Sequence, residues 1–397
     1  MKRLFVILLV ILCGGAHADS PLVILLSWDG MRHDFPDRGD YPGLQRMEAE
    51  GIRAGRLTPV YPSATFPGHV SLATGAPPSV HGILDNNFFD RKKGKYSYSP
   101  EADWIAAEPV WITAERQGVK AATYFWVGSE TDWHGQGQHY RIAPFDAYRD
   151  EADKVAQIIA WIDLPPADRP GLIMSYWSGA DGTAHIKGPD HPDVNEAIAG
   201  QDRNLQTLMQ AIDERQLWPS TTLLLVSDHG MTEVNESVEI KSAIEDAGLG
   251  VRVFGGNAVQ HLFIDNADDE PKLMQILDAA PHVRAFEGEA IPAELRFPGR
   301  TGDVVVTTEP PYTLSRSESL RSRLIGIASS IMGWRSGAHG YDPTLADMGG
   351  IFFAMGRGVS AGKKIDNVSQ LQVAPTVTSL LGIDPPRDAR AEPVALE

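Results

Sequence analysis

The sequence predicts an α/β fold built on a mostly parallel sheet with helices on both faces. Short apolar runs typical of buried strands, at residues 22–26, 172–174 and 223–226, alternate with segments whose apolar residues recur at helical spacing. Each run also leads into an Asp or an Asp/His pair, and open parallel sheets place their ligand sites just beyond the carboxyl ends of strands. We therefore expect one functional site assembled from several strand ends.

Two helical patterns flank the second of these strands, in the order that a crossover between parallel strands requires. Apolar residues recur every three or four positions within residues 155–162 and again within 194–212. A later apolar run at 351–354 is expected to return the chain to the main sheet. A last helix follows it, with Pro375 in its first turn and Gly382 at its end. These patterns predict core packing rather than function.

The pattern changes between the early strands and the last one. Within residues 232–335, two helical patterns and two strand-like runs lie at 238–247, 258–264, 271–279 and 304–306. We expect a small α/β module inserted into the main domain. The predicted organisation is a signal peptide at 1–18, a catalytic core at 19–231 and 336–397, and the inserted module at 232–335.

The first eighteen residues are predicted to be a secretory signal rather than part of the fold. They comprise a basic pair at positions 2 and 3, nine apolar residues at 4–12 and an Ala-His-Ala cleavage signal at 16–18. Nine apolar residues are far fewer than the ~20 that span a bilayer, so cleavage is favoured over a signal anchor. The expected location is the bacterial periplasm or the outside of the cell.

Composition limits the kinds of partner that the protein can have. Removing the signal changes the formal charge from −17 to −19 and removes Cys13, the only cysteine, so no disulfide is expected. Such acidity argues against binding nucleic-acid duplexes or anionic membranes. It does not argue against one phosphate in a site whose metal ions supply positive charge. The sequence implies no protein partner and no transmembrane segment.

The Asp and His residues near the strand ends are candidate metal ligands, because zinc and similar divalent ions bind carboxylate and imidazole. Asp181 and His185 are four residues apart, which lets both face one ion from a helix, although a solvated loop also explains them. Asp228 and His229 directly follow a buried strand, where two ionisable groups are costly unless paired, and a purely structural pair is an equal alternative. The other candidates are Asp29 and His339.

Thr65 is the candidate nucleophile. It precedes an apolar pattern that predicts a helix with Pro67 in its first turn and Gly75 at its end. Backbone N–H groups at a helix start favour an alkoxide or a phosphate; the alternative is that Thr65 merely caps the helix. A threonine hydroxyl needs a base or a metal to activate it, and here metal ligands are plentiful whereas no base is obvious.

Two metal ions ~4 Å apart can stabilise both the attacking and the leaving oxygens of a phosphoryl displacement. The candidate ligands divide into two complementary sets. One ion would take Asp29, Thr65, Asp228 and His229, and the other would take Asp181, His185 and His339.

Six short segments, in this order, resemble the motifs of the nucleotide pyrophosphatase/phosphodiesterase family, within the alkaline phosphatase superfamily. They are SWDG (27–30), TFPGH (65–69), SVHGI (79–83), DNN (85–87), SDHGM (227–231) and HGYD (339–342). The resemblance extends from about residue 22 to residue 382 and is highly specific as an ordered set. It implies an alkaline-phosphatase-like core and a bacterial secreted enzyme with two zinc ions, held by the two ligand sets above.

The resemblance also implies a reaction. Thr65 would form a phosphothreonyl intermediate, and the Asn86 side chain, helped by the Phe66 N–H, would donate to the phosphoryl oxygen as an oxyanion site requires. The implied substrates are small nucleotides, whose phosphodiester or phosphoanhydride bonds are hydrolysed to give nucleoside 5′-monophosphates.

Nucleotide-specific members of the family hold the base between two aromatic rings. Phe66 matches the first ring; Phe145 has the better spacing for the second, with Tyr148 as the fallback, and a core role for Phe145 is an equal alternative. The chain departs from the family at 178–180, where Ser-Gly-Ala replaces acidic residues, and at Gly68, where Asn is common. All seven ligand positions are present, so the departures bear on substrate preference rather than on chemistry.

Other functions remain open at this point. Relatives with the same metals act on lysophospholipid or choline-phosphate esters, and phosphonoacetate hydrolase uses a Thr in a related site. Alkaline phosphatase proper typically adds a third metal, a Ser nucleophile and an Arg, and a sulfatase would carry Arg where this chain has His69. A non-catalytic zinc-binding module of the same fold predicts a lost ligand or nucleophile, and none is lost.

Overall fold

The computed structural model describes residues 20–315 and 335–397. The predicted signal peptide at 1–18 and part of the predicted inserted module lie outside these residues. Within the two described ranges, none of the helices combines the length and the apolarity that a membrane crossing needs.

Strands and helices alternate through most of the chain. The strands are β1 (Leu22–Trp28), β2 (Gly51–Thr58), β3 (Asn87–Asp90), β4 (Gly94–Ser97), β5 (Ala121–Tyr124), β6 (Tyr140–Ile142), β7 (Leu172–Trp177), β8 (Thr221–Val226), β9 (Thr232–Val234), β10 (Glu236–Val238), β11 (Val251–Gly255), β12 (Val259–Ile264), β13 (Arg284–Glu287), β14 (Val304–Thr307), β15 (Tyr312–Leu314), β16 (Ser336–Ala338), β17 (Phe352–Gly356) and β18 (Lys363–Ser369). The helices are α1 (Pro42–Glu50), α2 (Thr65–Thr74), α3 (Pro78–His81), α4 (Val110–Arg116), α5 (Glu151–Ile162), α6 (Asp181–Lys187), α7 (Pro192–Glu214), α8 (Lys241–Asp246), α9 (Glu270–Ala279) and α10 (Val373–Leu381).

An eight-stranded sheet in the order β18-β2-β17-β8-β1-β7-β5-β6 forms the centre of the protein. All its strands run in one direction except β17, which is antiparallel to both of its neighbours. Alternate residues of β1 face opposite sides, as a strand requires. Val23 and Leu25 pack in the core shared with α2, α4 and α10, whereas Ile24 and Leu26 pack in the core shared with α1, α5 and α7. The structure therefore confirms the predicted fold class.

The last helix begins earlier than predicted and ends where predicted. α10 starts at Val373, so Pro375 is the third helical residue and still lies in the first turn, where its missing N–H costs no helical hydrogen bond. Gly382 follows the helix with a left-handed φ of 72°, which glycine adopts without strain.

A second sheet, antiparallel and in the order β11-β12-β14-β13, lies within residues 251–307. Its inner face packs with α8 and α9 around a hydrophobic cluster of its own. The sequence indicated β12 and β14 but missed β11 and β13, which are short and only partly buried. The exact bounds of an inserted module, 232 and 335, stay a prediction.

Candidate active site

Thr65 is the first residue of α2, where the chain turns from an extended segment into the helix. Ala64, which has β-region dihedral angles, occupies the capping position, and the helix ends at Gly75 with a left-handed φ of 65°. The Thr65 side chain is therefore not the helix cap. Its Oγ1 lies 3.3 Å from Nε2 of His229. The start of the helix thus directs the hydroxyl toward the predicted metal ligands.

Gly68 lets this helix approach the end of β8 closely. A Cβ at Gly68 would lie 2.8 Å from the carbonyl oxygen of Asp228, which is closer than packed atoms approach. A side chain there would push α2, and Thr65 with it, away from the strand end. The packing therefore gives a physical reason for glycine at this position of the chain.

Asp29, Asp228 and His229 form a compact group at the ends of two adjacent strands. The parallel pairing of β1 with β8 brings both aspartates to the same edge of the sheet. One ligand atom from each of the three residues lies within 4.8 Å of the other two. Nε2 of His229 is 3.2 Å from Oδ2 of Asp228 and 3.5 Å from Oδ1 of Asp29. Together with Thr65, these residues are the first predicted ligand set.

Asp181, His185 and His339 meet beside this group. Asp181 begins α6 and His185 lies one turn later, so that Nε2 of His185 is 3.2 Å from Oδ1 of Asp181. His339 directly follows β16, which pairs with β9, and its Nε2 is 3.8 Å from the same oxygen. The His339 ring stacks on His229, with 3.6 Å between the ring centroids. His229 therefore borders both ligand sets.

The three imidazoles present the same nitrogen to the cluster. In His185, His229 and His339, Nδ1 lies 2.8, 2.7 and 3.0 Å, respectively, from a backbone carbonyl oxygen. Because a carbonyl oxygen only accepts hydrogen bonds, Nδ1 of each ring carries the proton and is the donor. Nε2 of each ring is then left with a lone pair that faces the carboxylates. A carbonyl contact of this kind orients metal-ligating histidines and fixes their tautomer.

The buried carboxylates also fit bound cations. Among the residues that the structure describes, Oδ1 of Asp29, Oδ1 of Asp181 and Oδ2 of Asp228 are buried and accept no hydrogen bond. Burial and the negative charges of Asp228 and Asp181 raise the pKa of Asp29. Burial likewise lowers the pKa of His339, which favours its neutral, ligating form. Carboxylate and neutral imidazole are the donors that zinc or a similar divalent ion takes.

Backbone contacts join the two ligand groups. The Asp29 N–H donates to the Trp177 carbonyl at 3.0 Å, and the Ala180 N–H donates to the Asp29 carbonyl at 3.1 Å. Gly179 lies between Trp177 and Ala180 in the chain and has a φ of 58°, and a Cβ there would overlap the Asp29 carbonyl oxygen. The Tyr176 hydroxyl donates to Oδ2 of Asp29 at 2.7 Å. Sequence reasoning missed Tyr176, although its place at the end of the β7 run could have indicated it.

The Phe66 backbone contacts the other predicted phosphate donor, Asn86. The Phe66 N–H donates to Oδ1 of Asn86 at 2.8 Å. The expected role of this N–H as a donor to a phosphoryl oxygen stays a prediction. The same hydrogen bond fixes the Asn86 amide and leaves its Nδ2 as the remaining donor. Asn86 itself lines the same cavity as Thr65.

A cavity of about 490 Å³ opens beside Thr65, and five of its fifteen lining residues are Phe or Tyr. Phe66 contacts Tyr98 edge to face at 5.2 Å between centroids. Phe145, 47% exposed, packs edge to face against Phe125 at 5.3 Å. Tyr98 is a lining residue that sequence reasoning did not assign. The lining residues are Asp29, Thr65, Phe66, Asn86, Tyr98, Ser99, Phe125, Val127, Gly128, Glu130, Phe145, Tyr176, Asp181, His185 and His339.

The fallback aromatic, Tyr148, does not line this cavity. Its side chain is 92% exposed, and its N–H is bound to the Asp146 carboxylate in a local turn. The turn leaves the Tyr148 ring in solvent. Of the two candidates for a second stacking ring, the structure therefore brings only Phe145 to the cavity.

Comparison with known proteins gives relatives over most of the chain. A venom phosphodiesterase from Crotalus durissus collilineatus is 28% identical over 395 residues, which cover 94% of this chain and 46% of the venom protein. Human ectonucleotide pyrophosphatase/phosphodiesterase family member 1 is 26% identical over 395 residues, which cover 93% of this chain and 41% of the human protein. The chain thus spans less than half the length of these relatives.

Solved structures share the fold. Murine ectonucleotide pyrophosphatase/phosphodiesterase 5, as an inactive variant in complex with AMP, superposes with a TM-score of 0.82 at 24% identity, covering 94% of this chain and 96% of the murine chain. The sequence model of the family described as "Type I phosphodiesterase / nucleotide pyrophosphatase" matches residues 23–342. The chain belongs to the type I phosphodiesterase/nucleotide pyrophosphatase family.

Proposed function

We propose that this protein is a two-zinc phosphodiesterase that hydrolyses nucleotide phosphodiester or phosphoanhydride bonds and releases nucleoside 5′-monophosphates through a phosphothreonine at Thr65. One observation carries the proposal. The Thr65 hydroxyl lies at a helix start, 3.3 Å from His229. His229 belongs to two groups with metal-ligand spacing, one with Asp29 and Asp228 and the other with Asp181 and His339. Family membership supports the reaction class, and the aromatic cavity supports a nucleotide as the substrate.

Two zinc ions would lower the pKa of the Thr65 hydroxyl and stabilise the charge on the attacking and leaving oxygens. One ion would be held by Asp29, Thr65, Asp228 and His229, and the other by Asp181, His185 and His339. Thr65 Oγ1 gives its proton to solvent and forms a bond to phosphorus while the bond to the leaving oxygen breaks, and the leaving oxygen takes up a proton from water. In the second step a water oxygen bonds to phosphorus and the Oγ1–phosphorus bond breaks. One water proton returns to Oγ1, and the nucleoside 5′-monophosphate leaves. The N-terminus of α2 faces the developing negative charge, and the Asn86 Nδ2 group donates to a phosphoryl oxygen.

Binding of the base is assigned to the aromatic part of the cavity. We place Phe66 on one side of the base and Phe145 on the other, since both line the cavity. Stacking on an aromatic ring contributes ~1–3 kcal/mol per base and tolerates any base. A complex of a structural relative with AMP is in keeping with this assignment.

Phe66→Ala is expected to raise KM about 10-fold for p-nitrophenyl thymidine 5′-monophosphate, because one stacking surface is lost. The KM for bis(p-nitrophenyl) phosphate, which has no base, should change less. Steady-state kinetics of the zinc-loaded enzyme on both substrates measure the difference. Tyr148→Ala is the matched control, because that ring is in solvent and should leave both constants unchanged. Equal effects of Phe66→Ala on the two substrates would exclude base stacking at Phe66.

We also propose that the protein acts outside the cytoplasm, in the periplasm or after secretion. Support comes from the signal-like composition of residues 1–18 and from relatives whose names describe venom and ectonucleotide enzymes. Fractionation of cells that express the full chain, followed by N-terminal sequencing of the exported protein, tests this location.

A further inference from the structure

An ion pair in the first turns of α5 is hydrogen-bonded to the chain segment that links the two ligand groups. The ammonium of Lys154, whose residue is 3% exposed, is 2.9 Å from Oε2 of Glu151. The two residues are three apart on one face of the first turns of α5. Neither residue lines the cavity beside Thr65, so they do not face a substrate there. Burying such a pair is costly unless further hydrogen bonds satisfy both partners, and here those bonds lead to the site.

Lys154 reaches the first ligand group through Tyr176. Its Nζ donates to the Tyr176 carbonyl at 2.9 Å and lies 5.5 Å from the centre of the Tyr176 ring. The Tyr176 hydroxyl in turn donates to Oδ2 of Asp29 at 2.7 Å. The lysine therefore holds both the backbone and the ring of the residue that orients the Asp29 carboxylate.

Glu151 reaches the second ligand group through Ser178. Its Oε1 accepts hydrogen bonds from the Ser178 N–H at 2.8 Å and from the Ser178 hydroxyl at 2.9 Å. Ser178 begins the three-residue connection to Asp181 that contains Gly179 and Ala180. The family that the sequence resembles usually has acidic residues at 178–180, and this chain has none there. Glu151 of α5 contributes a carboxylate to this segment instead.

We propose that Glu151 and Lys154 are positioning residues that hold the two metal-ligand groups at their mutual distance, Glu151 through Ser178 and Lys154 through Tyr176. The inference rests on the proposed function. Because the ion pair joins the strand end that carries Tyr176 to the connection that leads from Ser178 to Asp181, loss of either partner loosens the link between the groups. Outer partners that orient ligands typically affect metal affinity 10–100-fold.

Glu151→Ala is expected to weaken binding of the more weakly held zinc ion about 10–100-fold, and to lower kcat with little change in KM. Glu151→Gln keeps an oxygen for the two Ser178 hydrogen bonds and should restore most of the affinity. Competition with a chromophoric chelator measures the affinity, at a temperature where circular dichroism shows each variant to be fully folded. Asp153→Ala is the control, because Asp153 is an exposed carboxylate on the same helix. Within the described residues, its one ion pair is with Arg149.

The outcomes separate this inference from the proposed function. A wild-type protein that binds no zinc overturns both. The positioning role alone is overturned if the wild type binds two ions and the folded Glu151→Ala variant binds zinc with unchanged affinity, even if the melting temperature of the variant is lower. Lys154→Met provides a second test, since it removes the donor to Tyr176 while keeping the aliphatic chain. It should also weaken zinc binding, and unchanged affinity in this variant overturns the part of the proposal that concerns Asp29.

Discussion

Thr65→Ala is expected to lower kcat for a nucleotide diester by at least about 10³-fold, because removal of a nucleophile leaves only binding and electrostatic stabilisation. Zinc content should stay near that of the wild type, since the carboxylates and imidazoles of both groups are untouched. Thr65 makes no capping bond, so helix α2 should persist. The measurements are steady-state turnover and metal analysis of the same preparation.

Thr65→Ser is the matched variant for this experiment. It keeps the hydroxyl but loses the β-branch that limits its rotamers, so we expect partial activity well above that of the alanine variant. Brief incubation with substrate followed by acid quenching and mass spectrometry should detect a nucleoside monophosphoryl group on the peptide containing residue 65 in the wild type and not in the alanine variant. Near-wild-type turnover by Thr65→Ala would exclude the proposed nucleophile.

Asp181→Asn is expected to reduce bound zinc from two ions to one per chain. Oδ1 of Asp181 is the oxygen that both His185 and His339 face, at 3.2 and 3.8 Å. An amide keeps the shape of the side chain but is a much poorer ligand for zinc. Because a metal ion supplies several kcal/mol of transition-state stabilisation, kcat should fall at least about 100-fold.

Asp190→Asn is a suitable control for this change. The Asp190 side chain is 69% exposed and pairs with Arg38 at 2.9 Å and with Arg32 at 3.5 Å. It belongs to neither ligand set, so removing its charge should leave zinc content and kcat unaltered. Two zinc ions in Asp181→Asn, with normal turnover, would contradict the proposed second ligand set. Addition of excess zinc distinguishes weakened binding from a lost site, since only the former recovers activity.

The sequence predicted four of the eight strands of the main sheet, β1, β7, β8 and β17, because these are largely buried and their apolar runs are nearly continuous. It did not predict β2, β6 and β18, which are partly exposed, or β5, which has only four residues. The ends of β1, β7 and β8 could be predicted to meet, because parallel strands finish at the same edge of a sheet. By contrast, β11 and β13 are short and only partly buried, so neither a continuous run nor a clear alternation marks them.

The residues that surround the ligands were harder to predict. The carbonyl contacts of His185 and His339 depend on backbone that is distant in the sequence, 152 and 276 positions away, and no local pattern encodes such contacts. The hydrogen bond from the Phe66 N–H to the Asn86 side chain was not predicted either, because the two residues are 20 positions apart. Tyr148 was a reasonable alternative by spacing, but the Asp146 turn leaves its ring in solvent.

The stacking of His339 on His229 has a consequence for folding. His339 enters the cluster only after the chain has passed through the second sheet, and its ring is held by Ser63 from the opposite part of the sequence. Contacts of such long range require the intervening chain to be closed into a loop, at an entropic cost. A cation bound by these ligands would therefore recognise only the completely assembled chain. By thermodynamic linkage, it would stabilise the native state in proportion to the logarithm of its free concentration above Kd.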